Sequence, residues 1–440
     1  MKQAAPFKRA TVFQYEGVPP LGQMVPLGLQ HVVAAVVGIV TPAIMIAGSC
    51  GITGADQTLL IQVSLLVTAV ATLIQLFPIG PIGSRLPVIM GISFAYVPTL
   101  QAIGQQFGLP EILGAEIIGG IVAILFGIFV KQIRVLFPPL VTGTVIFTIG
   151  LSLYPTAIKY MAGGVGKPDY ASPKSWLVAI ITFLVVLILQ NFGKGVLKLG
   201  AILWGIIVGY VISIPLGLVE FSAVGQAGLF QVPTPMHFEI AFEPSAIVSL
   251  AIVYMVNAVQ TIGDLSSTTI GGMDRMPTDK ELRGGIVGQG VMSVVGALFG
   301  GLPTASYSQN VGIITVNRVI NRAVFVFAAV VLAVAGFVPK IASILTTIPQ
   351  SVIGGATVSV FAMITMTGVS MITSERFDMR ARTVVGLSVA LGVGISQVQG
   401  CLAGFPEWVT MVFGSSPVVV TAIMAIFLNL ILPKPNPESV

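Results

Sequence analysis

About fourteen apolar runs of roughly 20 residues recur between Pro26 and Leu432, and they restrict this chain to one kind of fold. A run of that length crosses about 30 Å of hydrocarbon as a helix, and no backbone polar group can stay unpaired there. The runs fall near 27–47, 57–79, 87–104, 112–130, 136–154, 176–193, 197–219, 247–271, 284–300, 303–317, 323–338, 343–373, 382–399 and 409–432. Only 8% of the 440 residues are charged, against roughly 25% in soluble domains. An all-α polytopic membrane protein is therefore expected. The first 25 residues are mostly polar and no small-residue cleavage pattern follows the first run, so that run reads as a retained helix rather than a signal peptide.

Basic residues orient the spans. If the N-terminus is cytoplasmic and the spans alternate, 17 of the 21 Lys and Arg residues face the cytoplasm, and Lys159, Lys167, Lys174 and Lys340 face the other side. A bias that steep supports fourteen spans in a cell membrane with both ends inside. The net charge of +5 is then a topology signal, not the footprint of a nucleic-acid partner. Cys50 and Cys401 read as free thiols in apolar surroundings.

The halves echo one another. Pro138-Pro-Leu-Val-Thr-Gly143 returns as Pro349-Gln-Ser-Val-Ile-Gly354, offset by 211, and Leu86-Pro87 returns as Leu302-Pro303, offset by 216. Seven spans per copy is an odd number, so the second copy enters from the opposite side, as in the inverted repeats of many secondary transporters. The third run carries Pro87, Gly91 and Pro98, and the tenth carries Pro303 and Gly312 after Gly300-Gly301. Proline removes a backbone donor and excludes its i−4 bond. Both spans are expected to hold a short extended segment feeding a half-helix, whose free N–H groups would suit a polar ligand.

Polar residues inside the runs are few. The stretch Leu302–Asn317 buries Thr, Ser, Gln and Asn at membrane depth, including Gln309 and Asn310. Gln30 and His31 lie early in the first run, and Gln289 lies in the ninth. In the eighth, Asn257, Gln260, Thr261 and Asp264 stand at i, i+3, i+4 and i+7 and share one helix face. Asp264 is the acid furthest from a span end, with Glu116 placed near the outer end of the fourth run. An ionisable group at that depth is expensive and points to function. No Walker A loop, HExxH, paired-cysteine or Gly-x-Ser-x-Gly pattern occurs, so no ATP-driven pump, enzyme, metal or cofactor is expected.

Gln309-Asn310-Val-Gly312 followed by Asn317-Arg318 resembles the signature of the nucleobase–ascorbate transporters, also called nucleobase:cation symporter-2. Gln30-His31, Ile262-Gly263-Asp264 and Phe94-Ala95 match further family markers in the right order. The resemblance covers about residues 20–432. It implies a 7+7 inverted repeat, with a core domain from 26–131 and 244–338 and a gate domain from 132–243 and 339–432, between a cytoplasmic segment 1–25 and a tail 433–440. It also implies elevator-like movement and a homodimer in the lipid bilayer.

Three positions depart from the family. Gln260 stands where most members have a substrate-binding Glu, Gln289 where many have an acid, and Asn317 where the signature has Thr. Gln keeps an acceptor oxygen but loses the titratable charge. The resulting expectation is uptake of a nucleobase, with xanthine or uric acid ahead of uracil because Gln309 resembles the purine-type signature. Gln260 and Gln309 would grip the base through their amides, and Phe94 and Ala95 would add ring packing and backbone hydrogen bonds from the extended segment. Asn310, bonded to the eighth span, would brace the site with Gln30, Gln289 and Ser308. Asp264 is the candidate for a coupling proton (or sodium), and His31 the second. A uracil symporter, or an uncoupled facilitator or channel for a small polar solute, remains the alternative.

Overall fold

The computed structural model describes residues 11–221, 224–225, 227–374, 376–398, 400–406, 409–414 and 416–433. Residues 1–10 of the expected N-terminal segment and 434–440 of the expected tail, with Lys2, Lys8, Arg9 and Lys434, lie outside the described residues.

The chain runs α1 (Leu21–Ser49), α2 (Gly54–Leu76), β1 (Met90–Ile92), α3 (Val97–Gln106), α4 (Leu109–Ile128), α5 (Pro139–Met161), α6 (Pro173–Phe192) and α7 (Ala201–Ser213). It continues through α8 (Pro244–Met273), α9 (Asp279–Leu298), β2 (Thr304–Ser306), α10 (Ser308–Asn317), α11 (Arg322–Phe337), α12 (Gln350–Ile372), α13 (Met379–Gln397) and α14 (Pro417–Ile431). Among the described residues eight helices are long and apolar enough to cross a membrane, or nine if a bent pair counts as one span. Helix starts follow local chemistry. Thr278 and Glu281 form a reciprocal capping box on α9, and the Asn321 side chain caps α11.

The two expected breaks are present and meet. β1 and β2 pair antiparallel with Gly91 opposite Ala305, and each leads into a helix of ten residues, α3 or α10. Ten residues rise about 15 Å, half the hydrocarbon thickness. Such a small ribbon leaves edges that lipid could not satisfy. Side-chain hydroxyls take them: the Met90 N–H donates to Thr72 Oγ1 at 3.2 Å and the Thr304 N–H to Ser293 Oγ at 3.1 Å. Gly91 is required here, since a Cβ would collide with the Thr68 side chain.

Three expectations need correction. Phe94 and Ala95 lie in the turn after β1, not in the extended segment, because the chain folds back there: the Val97 N–H donates to the Phe94 carbonyl at 3.1 Å. The run 343–373 is not one helix. A short helix, Pro339–Thr346, bends 82° from α11, and α12 begins only after Pro349. Proline disfavours helical geometry at the residue before it, and Val338 and Ile348 precede Pro339 and Pro349. Finally, α4 starts at Leu109, so Glu116 lies seven residues inside it, about 10 Å at 1.5 Å per residue. It is fully buried rather than near a span end.

Helix packing falls into two sets. One joins α1, α2, α4, α8, α9 and α11 around the broken spans, and the other joins α5, α6, α7, α12, α13 and α14. Bare backbones make the tightest contacts. A Cβ on Gly120 would lie 2.8 Å from the Gly290 carbonyl, locking α4 to α9, and one on Gly143 would lie 2.9 Å from the Gly368 carbonyl, locking α5 to α12. The described charged side chains are exposed or partly exposed apart from Asp264 and Glu116. On one loop surface, residues Thr11 to Gly17 form a strap. The buried Asn321 Nδ2 donates to the Gln14 carbonyl at 2.7 Å and the Gly17 carbonyl at 3.2 Å.

Candidate functional site

A cavity of about 510 Å³ lies where the broken spans face the second helix set. Its lining includes Gln260 from α8, Ser306 to Gln309 at the start of α10, and Phe94 and Ala95. Val360 and Met363 of α12 and Leu203 of α7 close the opposite wall. All four residues expected to touch the ligand therefore share one space. As the first helical residues, Ser308, Gln309 and Asn310 carry N–H groups that no intrahelical carbonyl can take. Gln309 is exposed and has no side-chain hydrogen bond among the described residues. The Phe94 ring meets Phe361 edge-on at 5.3 Å. The N–H of its neighbour Ala95 donates to Ser93 Oγ at 3.2 Å.

Behind the wall the polar face of α8 forms one network. The Asp264 carboxyl contacts Ser306 Oγ at 2.6 Å and Ser308 Oγ at 2.8 Å, so the break at β2–α10 is tied to α8 through a single acid. Gln260 Nε2 reaches the same Ser308 hydroxyl at 3.5 Å. Gln289 is the hub. Its Nε2 donates to Asn257 Oδ1 at 2.7 Å and to the Tyr96 hydroxyl at 3.0 Å, while its Oε1 accepts from Thr261 Oγ1 at 2.7 Å. Asn257 Nδ2 in turn donates to Gln260 Oε1 at 3.4 Å. Gln260 and Gln289 thus belong to one chain of side-chain amides.

Asn310 is braced differently from expectation. Its Nδ2 bonds the His31 carbonyl and His31 Nδ1, each at 3.0 Å, so its partner is α1 and not the eighth span. The carbonyl demands a donor, which fixes the amide, and the same donor makes Nδ1 the acceptor. His31 is accordingly a neutral imidazole in this arrangement, packed 4.5 Å from the Phe325 ring. Gln30 Nε2 and Asn310 Oδ1 are buried without partners.

Sequence reading passed over Tyr96, Ser306 and Tyr307. The Tyr307 hydroxyl donates to the Ile92 carbonyl at 2.6 Å across the break, and Tyr96 joins Gln289. Ser306 was within reach, as it sits inside the polar stretch Leu302–Asn317; the tyrosines act across more than 190 positions, where spacing carries no signal. Among the described residues no group of three His, Cys, Asp or Glu could hold a metal.

Many apolar helices, two broken spans and a polar cavity between helix sets define a multi-pass membrane transport protein. Known proteins agree. Residues 22–401 match the model Xan_ur_permease, described as Permease family, and the chain belongs to that family, nucleobase:cation symporter-2. It is 36% identical over 412 residues to the uric acid permease PucJ of Bacillus subtilis, covering 92% of this chain and 91% of that one. It is 30% identical over 440 residues to the xanthine permease XanP of Escherichia coli, covering 96% and 94%. In fold it is similar to the transmembrane domain of the cyanobacterial bicarbonate transporter BicA, with a TM-score of 0.59, 16% identity and coverage of 92% and 97%. It is also similar to the murine anion transporter Slc26a9, with a TM-score of 0.63, 11% identity and coverage of 94% and 69%.

Proposed function

We propose that this permease imports an oxopurine, xanthine or uric acid, together with a proton, by elevator-like alternating access. One observation carries the reading: the free side chain of Gln309 and that of Gln260 face a single cavity beside the unpaired N–H groups of α10. An oxopurine edge alternates N–H donors and C=O acceptors, and a carboxamide offers one of each side by side. The relatives named uric acid and xanthine permeases support the substrate class.

In this reading Gln260 and Gln309 hold the base and Phe94 packs on it. Ser308 and Gln289 align Gln260, Asn310 holds α10 to α1 through His31, and Gln30 supports that junction. Asp264 takes the coupling proton, and its two serine partners let proton binding reach the β2–α10 break. The neutral, packed His31 suits positioning better than proton carriage. The two helix sets are the core (26–131 and 244–338) and gate (132–243 and 339–432) of a fourteen-span, 7+7 inverted repeat with both ends cytoplasmic, paired as a homodimer through the gate.

The test is uptake of radiolabelled xanthine, uric acid, hypoxanthine, guanine and uracil in cells lacking their own carriers, with and without a proton ionophore. Accumulation of xanthine or uric acid that collapses with the ionophore supports the reading. Uptake that only equilibrates favours an uncoupled facilitator, for which the amides Gln260 and Gln289 in place of acids speak. Full uptake by both Gln260→Ala and Gln309→Ala sinks the site.

A further inference from the structure

Glu116 is the buried acid that this scheme leaves without a task. It is 0% exposed, and both carboxyl oxygens lack hydrogen-bond partners among the described residues. Its surroundings come from four elements. On α4 itself, Gly119 one turn on lies against the Tyr254 ring of α8. The Tyr254 hydroxyl is likewise buried and unpartnered. Tyr254 packs on Tyr96 with ring centroids 4.8 Å apart. From α9, a Cβ on Gly296 would lie 3.9 Å from Glu116 Oε1 and 3.4 Å from Val67 of α2. The titratable groups on the elements packed around Glu116 are Tyr254 and, stacked on Tyr254, Tyr96; α9 presents Gly296, which does not titrate, and Glu111 stands on its own helix toward the N-terminal end.

A carboxylate with no cation and no donor beside it is among the costliest groups to bury. Packing alone would be served as well or better by an apolar residue of similar volume. The pocket is also connected: Tyr96, its neighbour, shares a hydrogen bond with Gln289, the amide that organises Asn257, Thr261 and so the Asp264 face. Positions 260 and 289 carry amides, and the acid Glu116 stands one aromatic pair away from Gln289.

We infer that Glu116 is a proton-binding site of the transport cycle, neutral in the arrangement seen here and acting on the substrate site through the Tyr254–Tyr96–Gln289 contact. Resting on the proton-symport reading, it adds a second acid to Asp264. The neutral side chain gives its proton to the water on the inner side and is left as the carboxylate, and it regains its neutral form by taking a proton from the water on the outer side. Glu116 touches no substrate; it is a coupling residue, not a binding one.

Purified protein in vesicles decides it, with radiolabelled xanthine as probe. Glu116→Gln keeps the shape and the neutrality of the acid. It should exchange xanthine in counterflow at close to the native rate, yet lose accumulation driven by an imposed proton gradient, with Glu116→Asp recovering part of it. Native accumulation and an unchanged pH profile in Glu116→Gln overturn the inference. So does loss of counterflow together with accumulation, which marks a packing role. If the native protein moves no purine, the symport reading fails by itself. Infrared titration then judges Glu116: a neutral-carboxyl band that changes with pH and is missing in Glu116→Gln supports the site, and one that never changes removes it.

Discussion

Asn310 Nδ2 sits 3.0 Å from both the carbonyl and the Nδ1 of His31, so one amide clamps α1 to α10. Replacing Asn310 by Ala leaves a buried ring nitrogen without a donor and takes the second donor from the His31 carbonyl, which keeps its bond inside α1. The loss should be about 1–3 kcal/mol, since orphaning a buried acceptor costs its full desolvation. A lower melting temperature in detergent, with reduced uptake per molecule, is the expected outcome; unchanged melting would show the clamp to be idle.

Gln289 makes three buried side-chain hydrogen bonds, and no apolar residue can replace them. Gln289→Leu should destabilise by several kcal/mol if each orphaned partner costs about 1–3 kcal/mol. Gln289→Glu is the sharper variant. A carboxylate cannot donate to Asn257, so the Asn257 amide must turn, and Gln260 must turn with it. Altered discrimination between xanthine and uric acid, measured as the ratio of their uptake rates, is expected; an unchanged ratio would separate 289 from substrate recognition.

Gly290 faces the Gly120 carbonyl so closely that an added Cβ would sit 2.5 Å from it. Gly290→Ala should push α9 from α4 at a cost of about 1–3 kcal/mol, the usual penalty of overpacking. Because Gln289 is its neighbour, uptake should fall further than stability. Melting and uptake measured on the same preparation check this.

Tyr15, in the strap outside the spans, has its phenol pushed up to about 12 by burial, against the opposing pull of Arg322 and Arg85. The neutral phenol also contacts the Leu76 carbonyl at 3.3 Å, and the Arg322 guanidinium lies 5.8 Å from its ring centre. A raised folded-state value means that the contribution is whole below about pH 10 and is lost as pH climbs from 10 toward 12. Melting followed through that window should fall more steeply in the native protein than in Tyr15→Phe, by on the order of 1 kcal/mol after solvent screening.

Much of the architecture could be read from residue order because hydrocarbon imposes a length on every span and Pro87 and Pro303 mark the places where a helix cannot continue. The shared face of Asn257, Gln260, Thr261 and Asp264 was equally legible, since helical periodicity alone sets it. What escaped depends on contacts across the fold. That Phe94 and Ala95 turn rather than extend is settled by the geometry of a two-strand ribbon, and that Asn310 serves α1 depends on how two distant helices approach. The break at Pro349 hid inside an apolar run because lipid tolerates the composition of a bent segment as readily as that of a straight one. Glu116 was misjudged for a related reason: Leu109-Pro-Glu111, which reads as a loop, is the first turn of helix α4, which puts the acid about two turns inside the helix rather than about one.

The ribbon of β1 and β2 takes one strand from each half of the chain, which has a bearing on how the protein is made. When Met90–Ile92 leaves the ribosome, its partner Thr304–Ser306 is still more than 200 residues away in the message. A nascent half-protein must therefore shelter an unfinished strand edge from lipid, with Thr72 able to serve only one of its donors. Biogenesis should pass through a state in which the helices ahead of β2 are inserted but their centre is held open, closing only when Thr304–Ser306 has been made.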